Sequence, residues 1–293
     1  MPDHVKELLS IQESHDEDES ELNDLKKDFL SIELSRGVFS YCVLNTQKFR
    51  YTTLESFKFE NIKSFDSLSQ VLESLVKSRK LLAQNYQRIS LVFIHPLATL
   101  IPANLFSYSE KNQYLEFHTY TDNQNEIRVD KLNNLGAYSV YSFPKTLSQK
   151  INFLFPGCRI RHISTTLIEN ILYMNRYQEI DIQLALHIQN DHFEILIFKE
   201  KNLIFYNSFR YQTWEDLFYY LFFVLEQMRL EAENLHTLIL GEVSINSAFY
   251  KQARLYFKSL HLAPRNDLYK YAMEFDSIPH HYFFNLLNLN ACG

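Results

Sequence analysis

A chain of 293 residues with 46% hydrophobic and 22% charged residues has the make-up of a globular protein with ample core, which excludes a fibrous or wholly disordered one. The formal net charge of −6 sits at one end: residues 1–27 hold nine acids and three lysines, and the rest holds 26 of each sign. A neutral body lacks the basic footprint that phosphate-backbone binding leaves, so nucleic acid is not favoured.

The longest apolar run, Leu217 to Leu225, is nine residues, short of the roughly 20 that cross a bilayer. The acidic N-terminus has no basic start leading into an apolar stretch, so no signal peptide is expected. Cys42, Cys158 and Cys292 are widely spaced with no CxxC pair. We therefore expect a cytoplasmic address, reduced thiols and no membrane insertion.

Residues 1–27 read as a disordered acidic tail through His15-Asp16-Glu17-Asp18-Glu19-Ser20-Glu21. Phe29 to Leu44 alternates around a turn at Arg36-Gly37, and Phe49 to Phe59 continues as a further strand. Phe65, Leu68, Leu72, Leu75 and Val76 have the spacing of an amphipathic helix, with Ser64 or Asp66 as its cap. Ile89 to Ile94 is a continuous apolar run, expected as a strand buried on both faces. Strands are predicted over Leu115–Thr121, Ile127–Asp130 and Ala137–Phe143, then a helix from Leu147 to Phe155. The first of these belong to an insertion over about 97–135, the last to the end of the first sheet. Ile160–Ile163 is a strand and Thr165–Tyr177 a helix.

Strands follow at Ile182–Ile188, Phe193–Phe198 and Leu203–Asn207. The helix carrying Trp214, Leu217, Phe218, Leu221, Leu225 and Met228 is apolar on its other faces too, so it is expected to be buried nearly all round. Leu238-Ile239-Leu240 is a short strand, Ala248 to Leu260 is helical, and the chain closes on the apolar Tyr282 to Leu289.

These elements recur. Glu55-Ser56-Phe57-Lys58-Phe59 matches Asn207-Ser208-Phe209-Arg210-Tyr211, and Val71-Leu72-Glu73-Ser74-Leu75 matches Val224-Leu225-Glu226-Gln227-Met228, at offsets of 152 and 153. A duplicated strand-strand-helix-strand unit implies two α/β lobes with a cleft between them: a first lobe over 28–163 and a second over 164–293.

A strand hairpin, a further strand, a helix and another strand, present twice, resemble the actin-like ATPase (ribonuclease H-like) fold. The sequence is similar to an uncharacterised bacterial family, domain of unknown function 3822. Leu34-Ser35-Arg36-Gly37-Val38-Phe39, Leu100-Ile101-Pro102 and Leu286-Leu287-Asn288-Leu289 carry the likeness. The resemblance implies a mixed sheet with helices in each lobe and three nucleotide loops. Two are hairpin turns with an Asp followed closely by Gly, and the third is a Gly-Gly step after a late strand. The first turn resembles Ile32-Glu33-Leu34-Ser35-Arg36-Gly37, where the acid is Glu33 and Ser35 replaces the near Gly. The second resembles His187-Ile188-Gln189-Asn190-Asp191-His192, with His187 in place of Asp and no glycine. The third resembles Leu240-Gly241-Glu242, in which the second Gly is an acid that would repel phosphate. The chain has five glycines against about 20 at average usage. Asn190 and Asp191 tolerate positive φ but keep their side-chain bulk.

Zinc, P-loop, dinucleotide and hydrolase signatures are absent. Cys158 with His162, and His280-His281 with Cys292, lack the second close pair a zinc site needs. His187 and His192 flank the second turn as anion candidates or as satisfied hairpin residues. The expectation is a non-catalytic, actin-like interaction scaffold with a protein partner, no metal site and no cofactor. The alternative is a switch or weak ATPase that holds ATP with Mg between the lobes through Glu33, Ser35, Arg36, Gly37, His187, Asn190, Asp191, Gly241 and Glu242.

Overall fold

The computed structural model describes residues 4–13, 25–62, 64–116 and 124–290. Strand β1 (Val5–Gln12) comes first. A hairpin of β2 (Phe29–Leu34) and β3 (Val38–Asn45) then leads to β4 (Arg50–Phe59) and helix α1 (Phe65–Ser78). The Ser64 side chain accepts from the Ser67 amide while Ser67 returns the bond, so the helix starts on a capping box. Leu68, Leu72, Leu75 and Val76 turn to the sheet, as their spacing predicts. Strand β5 (Arg88–Phe93) returns parallel to β2.

An inserted three-stranded antiparallel sheet follows, built from β6 (Ala98–Pro102), β7 (Asn125–Leu132) and β8 (Ala137–Pro144) with β8 central. A short helix, α2 (Gln113–Glu116), packs on it. Helix α3 (Lys145–Leu154), strand β9 (Arg159–His162) parallel to β5, and helix α4 (Ile163–Met174) complete this half.

The second half has β10 (Ile182–Ile188), β11 (His192–Lys199), β12 (Asn202–Arg210), α5 (Trp214–Gln227), β13 (His236–Gly241), α6 (Ala248–Tyr256) and β14 (Ser259–Leu262). Its strand order, β12-β11-β10-β13-β14, repeats the β4-β3-β2-β5-β9 order of the first sheet. The pairing senses repeat as well, antiparallel on the hairpin side and parallel on the other. Ser56 lies opposite Ser40 and Ser208 opposite Glu194, so the Glu55–Phe59 and Asn207–Tyr211 blocks occupy equivalent places. The helix blocks are displaced: the capping boxes at Ser64 and Thr213 are 149 residues apart, one helical turn from the 153 of the sequence match. Apolar helices resemble themselves after a turn, and the caps fix the register.

The chain then returns to the first sheet. Strand β15 (Lys270–Tyr271) lies parallel on β4, and helix α7 (Phe284–Asn288) packs against β2, β3 and α4. Phe284 joins the core of α4, β10, β11 and β13, while Leu286 and Leu287 join Cys42, Leu44, Tyr51 and Leu54 on the outer face of the first sheet.

Five expectations differ from the structure, one being that Ser259 and Leu260, expected as the end of a helix, open strand β14, because they pair in parallel with His236 and Thr237 of β13. Residues 5–12 of the expected disordered tail are β1, paired with β4 across Val5–Phe59 to Gln12–Thr53. The reason is long-range: buried Glu55 accepts from Ser10 and Gln12, and Arg79 pairs with Glu7 and Glu55. The acidic run 15–21 lies outside the described residues. Leu115 stands in α2 rather than a strand, and Ala137–Pro144 belongs to the inserted sheet rather than to the first one. Helix α5 is not buried all round, since Tyr219 and Phe223 on its outer face are 66% and 49% exposed. Among the described residues, no helix is long and apolar enough to cross a membrane.

The Tyr51 hydroxyl donates to Leu287 O at 2.7 Å in a buried setting. Tyr51→Phe leaves that carbonyl unpaired and is expected to cost about 1–2 kcal/mol in urea unfolding at unchanged m-value.

Candidate functional site

The resemblance directs attention to the turns at the ends of β2, β10 and β13, and at each of them hydrogen bonds within the chain engage backbone groups. Ser35 folds back so that its hydroxyl accepts from the amides of Gly37 (3.2 Å) and Val38 (2.9 Å), while its own amide donates to Val38 O. This is the local hydrogen bonding that serine offers a tight turn. In the second turn Gln189 N donates to His192 O, and the Tyr211 amide and hydroxyl donate to Asp191 O and Gln189 O. At the third, Gly241 N donates to His281 O, Glu242 N to Ile188 O and Val243 N to Gly241 O.

The two glycines differ in what they are for. Gly241 has φ +89°, and a Cβ there would stand 2.2 Å from Ile188 O, so it is needed for the close passage of β13 past β10. A Cβ on Gly37 would meet nothing within 4 Å.

Beneath the turns lies a buried polar network that crosses from one half to the other. Glu194 on β11 has no solvent exposure and takes a bond from His187 Nδ1 at 2.8 Å. His192 Nε2 approaches its other oxygen at 3.3 Å, without hydrogen-bond alignment, and His192 Nδ1 meets Asp191 Oδ1 at 2.7 Å. Asn285 of α7 donates to His187 Nε2 at 3.2 Å and accepts from Thr166 of α4 at 3.4 Å. His187 is thus held at both ring nitrogens, Nδ1 by Glu194 and Nε2 by Asn285.

On the facing side, His162 caps α4 by accepting the Ser164 amide at Nδ1, and its Nε2–H donates to His95 O at 2.7 Å. His95 in turn feels the charges of His192, Arg210 and Arg36, so the end of β5 faces both hairpins.

The electrostatics divide the cluster into charged and neutral members. Burial pushes the Glu33 carboxyl up to about 8, and the carboxylates of Glu242 and Glu194 add to the rise. Burial also lifts Glu242, against the pull of His187 and of a bond from Asn190. Glu194 is held well below the usual range: burial opposes its charge, but His192 and His187 outweigh it. Burial likewise opposes a charged His192, and Glu194 with Asp191 overcomes it to raise the imidazole to about 10. Burial lowers His95 to about 4 and His162 to about 3, so both are neutral near pH 7. At that pH the cluster holds a Glu194–His192 ion pair beside a protonated Glu33.

All nine residues singled out in the sequence thus lie at or beside these three turns. Glu194, His95 and Asn285 were missed, and His162 was weighed only as a zinc ligand beside Cys158. Glu194 had a signal, a charged residue on an otherwise apolar strand; Asn285 had none, being 98 residues from His187.

Comparison with solved structures defines the class. A protein of unknown function with an actin-like ATPase fold from Bacteroides thetaiotaomicron superposes with TM-score 0.73 at 20% identity, over 83% of this chain and 93% of that one. The PilM–PilN type IV pilus biogenesis complex gives TM-score 0.60 at 9% identity, over 92% and 98%. The chain has a mixed α/β fold of the actin-like ATPase kind. It belongs to the family described as protein of unknown function (DUF3822), whose model matches residues 17–260. No curated protein matches the sequence.

Two outcomes follow from this geometry. Gly241→Ala is expected to lose at least about 3 kcal/mol in urea unfolding, and Gly37→Ala no more than about 0.5. For Glu33 the unfolded carboxyl ionises near 4.5 and the folded one near 8. Between those values the unfolded chain holds fewer protons, so stability falls as pH rises through the window and levels off above it. Glu33→Gln is expected to remove that fall, raising Tm at pH 8 while leaving it nearly unchanged at pH 4.5. His192 is raised, so its contribution is full below about 6.5 and lost as pH rises through about 10, and a weaker alkaline decline persists in the variant.

Proposed function

We propose that this protein is a cytoplasmic pseudo-ATPase, a duplicated two-lobed actin-like body that has exchanged nucleotide chemistry for the binding of another protein. One observation carries the reading: the amides that would cradle phosphate in the first turn are engaged by the Ser35 hydroxyl. The rest agrees with it. The acid at the Mg position, Glu33, is one methylene longer than the aspartate of the fold and sits beside the carboxylates of Glu242 and Glu194, buried where its charge is disfavoured. Glu242 stands where an adenosine would need a glycine step, and its amide is taken by Ile188 O. The residues present do not fit Mg-ATP. A neighbour of this fold works with a protein partner, PilN, which supports a partner here.

A second reading, a nucleotide-binding switch in the inter-lobe cleft, draws on one fact. Arg36, Arg210 and a charged His192 all act on His95 at the mouth of the two turns. Titration calorimetry with Mg-ATP and Mg-ADP separates the two. The scaffold reading expects no heat and an unchanged Tm at millimolar nucleotide. A ligand present at 100 times its Kd would add about 2.7 kcal/mol of stability, so micromolar binding would be plain and would restore the switch.

A further inference from the structure

Among the described residues the two large sheets have four ends, and three of them are guarded. Strands β9 and β14 are four residues each, too short to template a partner. Strand β1 exposes Lys6 and Glu7 and carries a register shift between Glu7 and Leu9. Charge and irregular register are devices that keep an edge from pairing onward. Strand β12 is the fourth end. It runs nine residues, Asn202–Arg210, with no proline, lysine or acid, and its single charge is the last residue.

The duplication indicates what such an end takes. In the first sheet the counterpart of β12 is β4, and β1 lies antiparallel along its far side. The far side of β12 is exposed instead, at Asn202, Ile204, Asn207 and Arg210. Tyr211 N donates to Asp191 O, which fixes the phase of the β11–β12 ladder. Residues 205, 207 and 209 therefore bond to β11, and the N–H and C=O of Tyr206, Ser208 and Arg210 point outward. The outward Ser208 amide turns to the exposed Asn207 side chain at 2.9 Å, a local bond that the carbonyl of an added strand can replace. The extra residue of the β11–β12 bulge is Ile204, near the hairpin turn, so 205–210 is regular.

Helix α5 extends this surface. Tyr220 stacks on Phe209 of β12 at 5.1 Å, while Phe218 and Phe222 meet Phe249 and Tyr256 of α6 on the helix's other side. From Tyr220 the rings continue to Tyr219 and Phe223 over the outer face of α5, where both are exposed. With Ile204, 41% exposed, they give the strand an apolar border.

The occupant that fits is a second copy of the chain. A two-fold axis pairs β12 antiparallel with itself, in the same sense as β1 on β4, and offers each copy's outward groups to the other. The two Arg210 then lie at opposite ends of the pair, and residues 202–209 carry no charge that calls for an opposite one on a different protein. We infer that the protein forms a two-fold dimer by β12–β12 pairing, which joins two five-stranded sheets into one and sets the two α5 helices side by side with Tyr220 and Phe223 between them. The dimer goes beyond the scaffold reading and does not depend on what the three turns bind.

Sedimentation of the full-length protein from low to high micromolar concentration should show a reversible monomer–dimer equilibrium. Hydrogen exchange at Tyr206, Ser208 and Arg210 should slow as concentration rises, and exchange at 205, 207 and 209 should not change. Ser208→Pro removes an outward N–H from each copy without touching the β11–β12 ladder, a substitution that edge strands accept. It is expected to weaken the dimer about tenfold or more. Should Ser208→Pro fail to fold, Phe223→Lys carries the test at an exposed position, by placing like charges across the axis with a comparable loss. The dimer is overturned by a monomer at every concentration, by an association that ignores both variants, or by outward amides whose exchange does not follow concentration. None of these results touches the scaffold reading, which calorimetry with Mg-ATP decides separately.

Discussion

A carboxylate removed from water has to be paired, and Glu194 is the carboxylate on which the middle of this protein is organised. Its cost uncompensated would be several kcal/mol. His192 and His187 supply the compensation, and they can do so only when both rings are held. Asp191 holds one from its own turn, and Asn285 holds the other from α7. The position of the returning helix is thereby tied to the charge state of a strand in the opposite half. The first half answers with neutral groups, the His162 and His95 rings, which accept the amides of Ser164 and Leu97.

The same requirement explains how tight turns survive in a chain so poor in glycine. A turn without glycine needs its amides bonded by something other than a ligand. Ser35 accepts from two amides in one hairpin; in the other His192 O accepts the Gln189 amide, and Tyr211 donates to the carbonyls of Gln189 and Asp191. Glycine is kept at 241, where the constraint is the passage of one backbone against another.

Much of the fold was legible because its signals are local. The alternation around Arg36-Gly37, the apolar run Ile89–Ile94 and the Ser64 cap each act within a few residues. The S-F-K-F and S-F-R-Y blocks lie at matched positions because β4 and β12 are each the third strand of an antiparallel run that begins with the hairpin. Where the reading fell short, the cause was distance. Strand β1 is half polar, and its partner Glu55 is more than 40 residues on. The outward rings of α5 look like core by hydropathy alone, which does not record what lies opposite a helix. The network around Glu194 joins residues from β10, β11, α4 and α7, so no window of sequence contains it.

The return of the chain to the first sheet also sets an order of events during synthesis. Tyr51, Cys42 and Ser31 find their partners in Leu287, Leu286 and Asn290, 236 to 259 residues later. At ribosomal rates of roughly 5–20 residues per second, that interval is about 10–50 s. Throughout it the outer face of β2, β3 and β4 is apolar, wet and without its cover. The first half can form its hairpin and α1 on the ribosome, yet the nascent chain carries a sticky surface until the last segment emerges. That face is covered only when α7 docks, a consequence of the way this polypeptide threads back on itself.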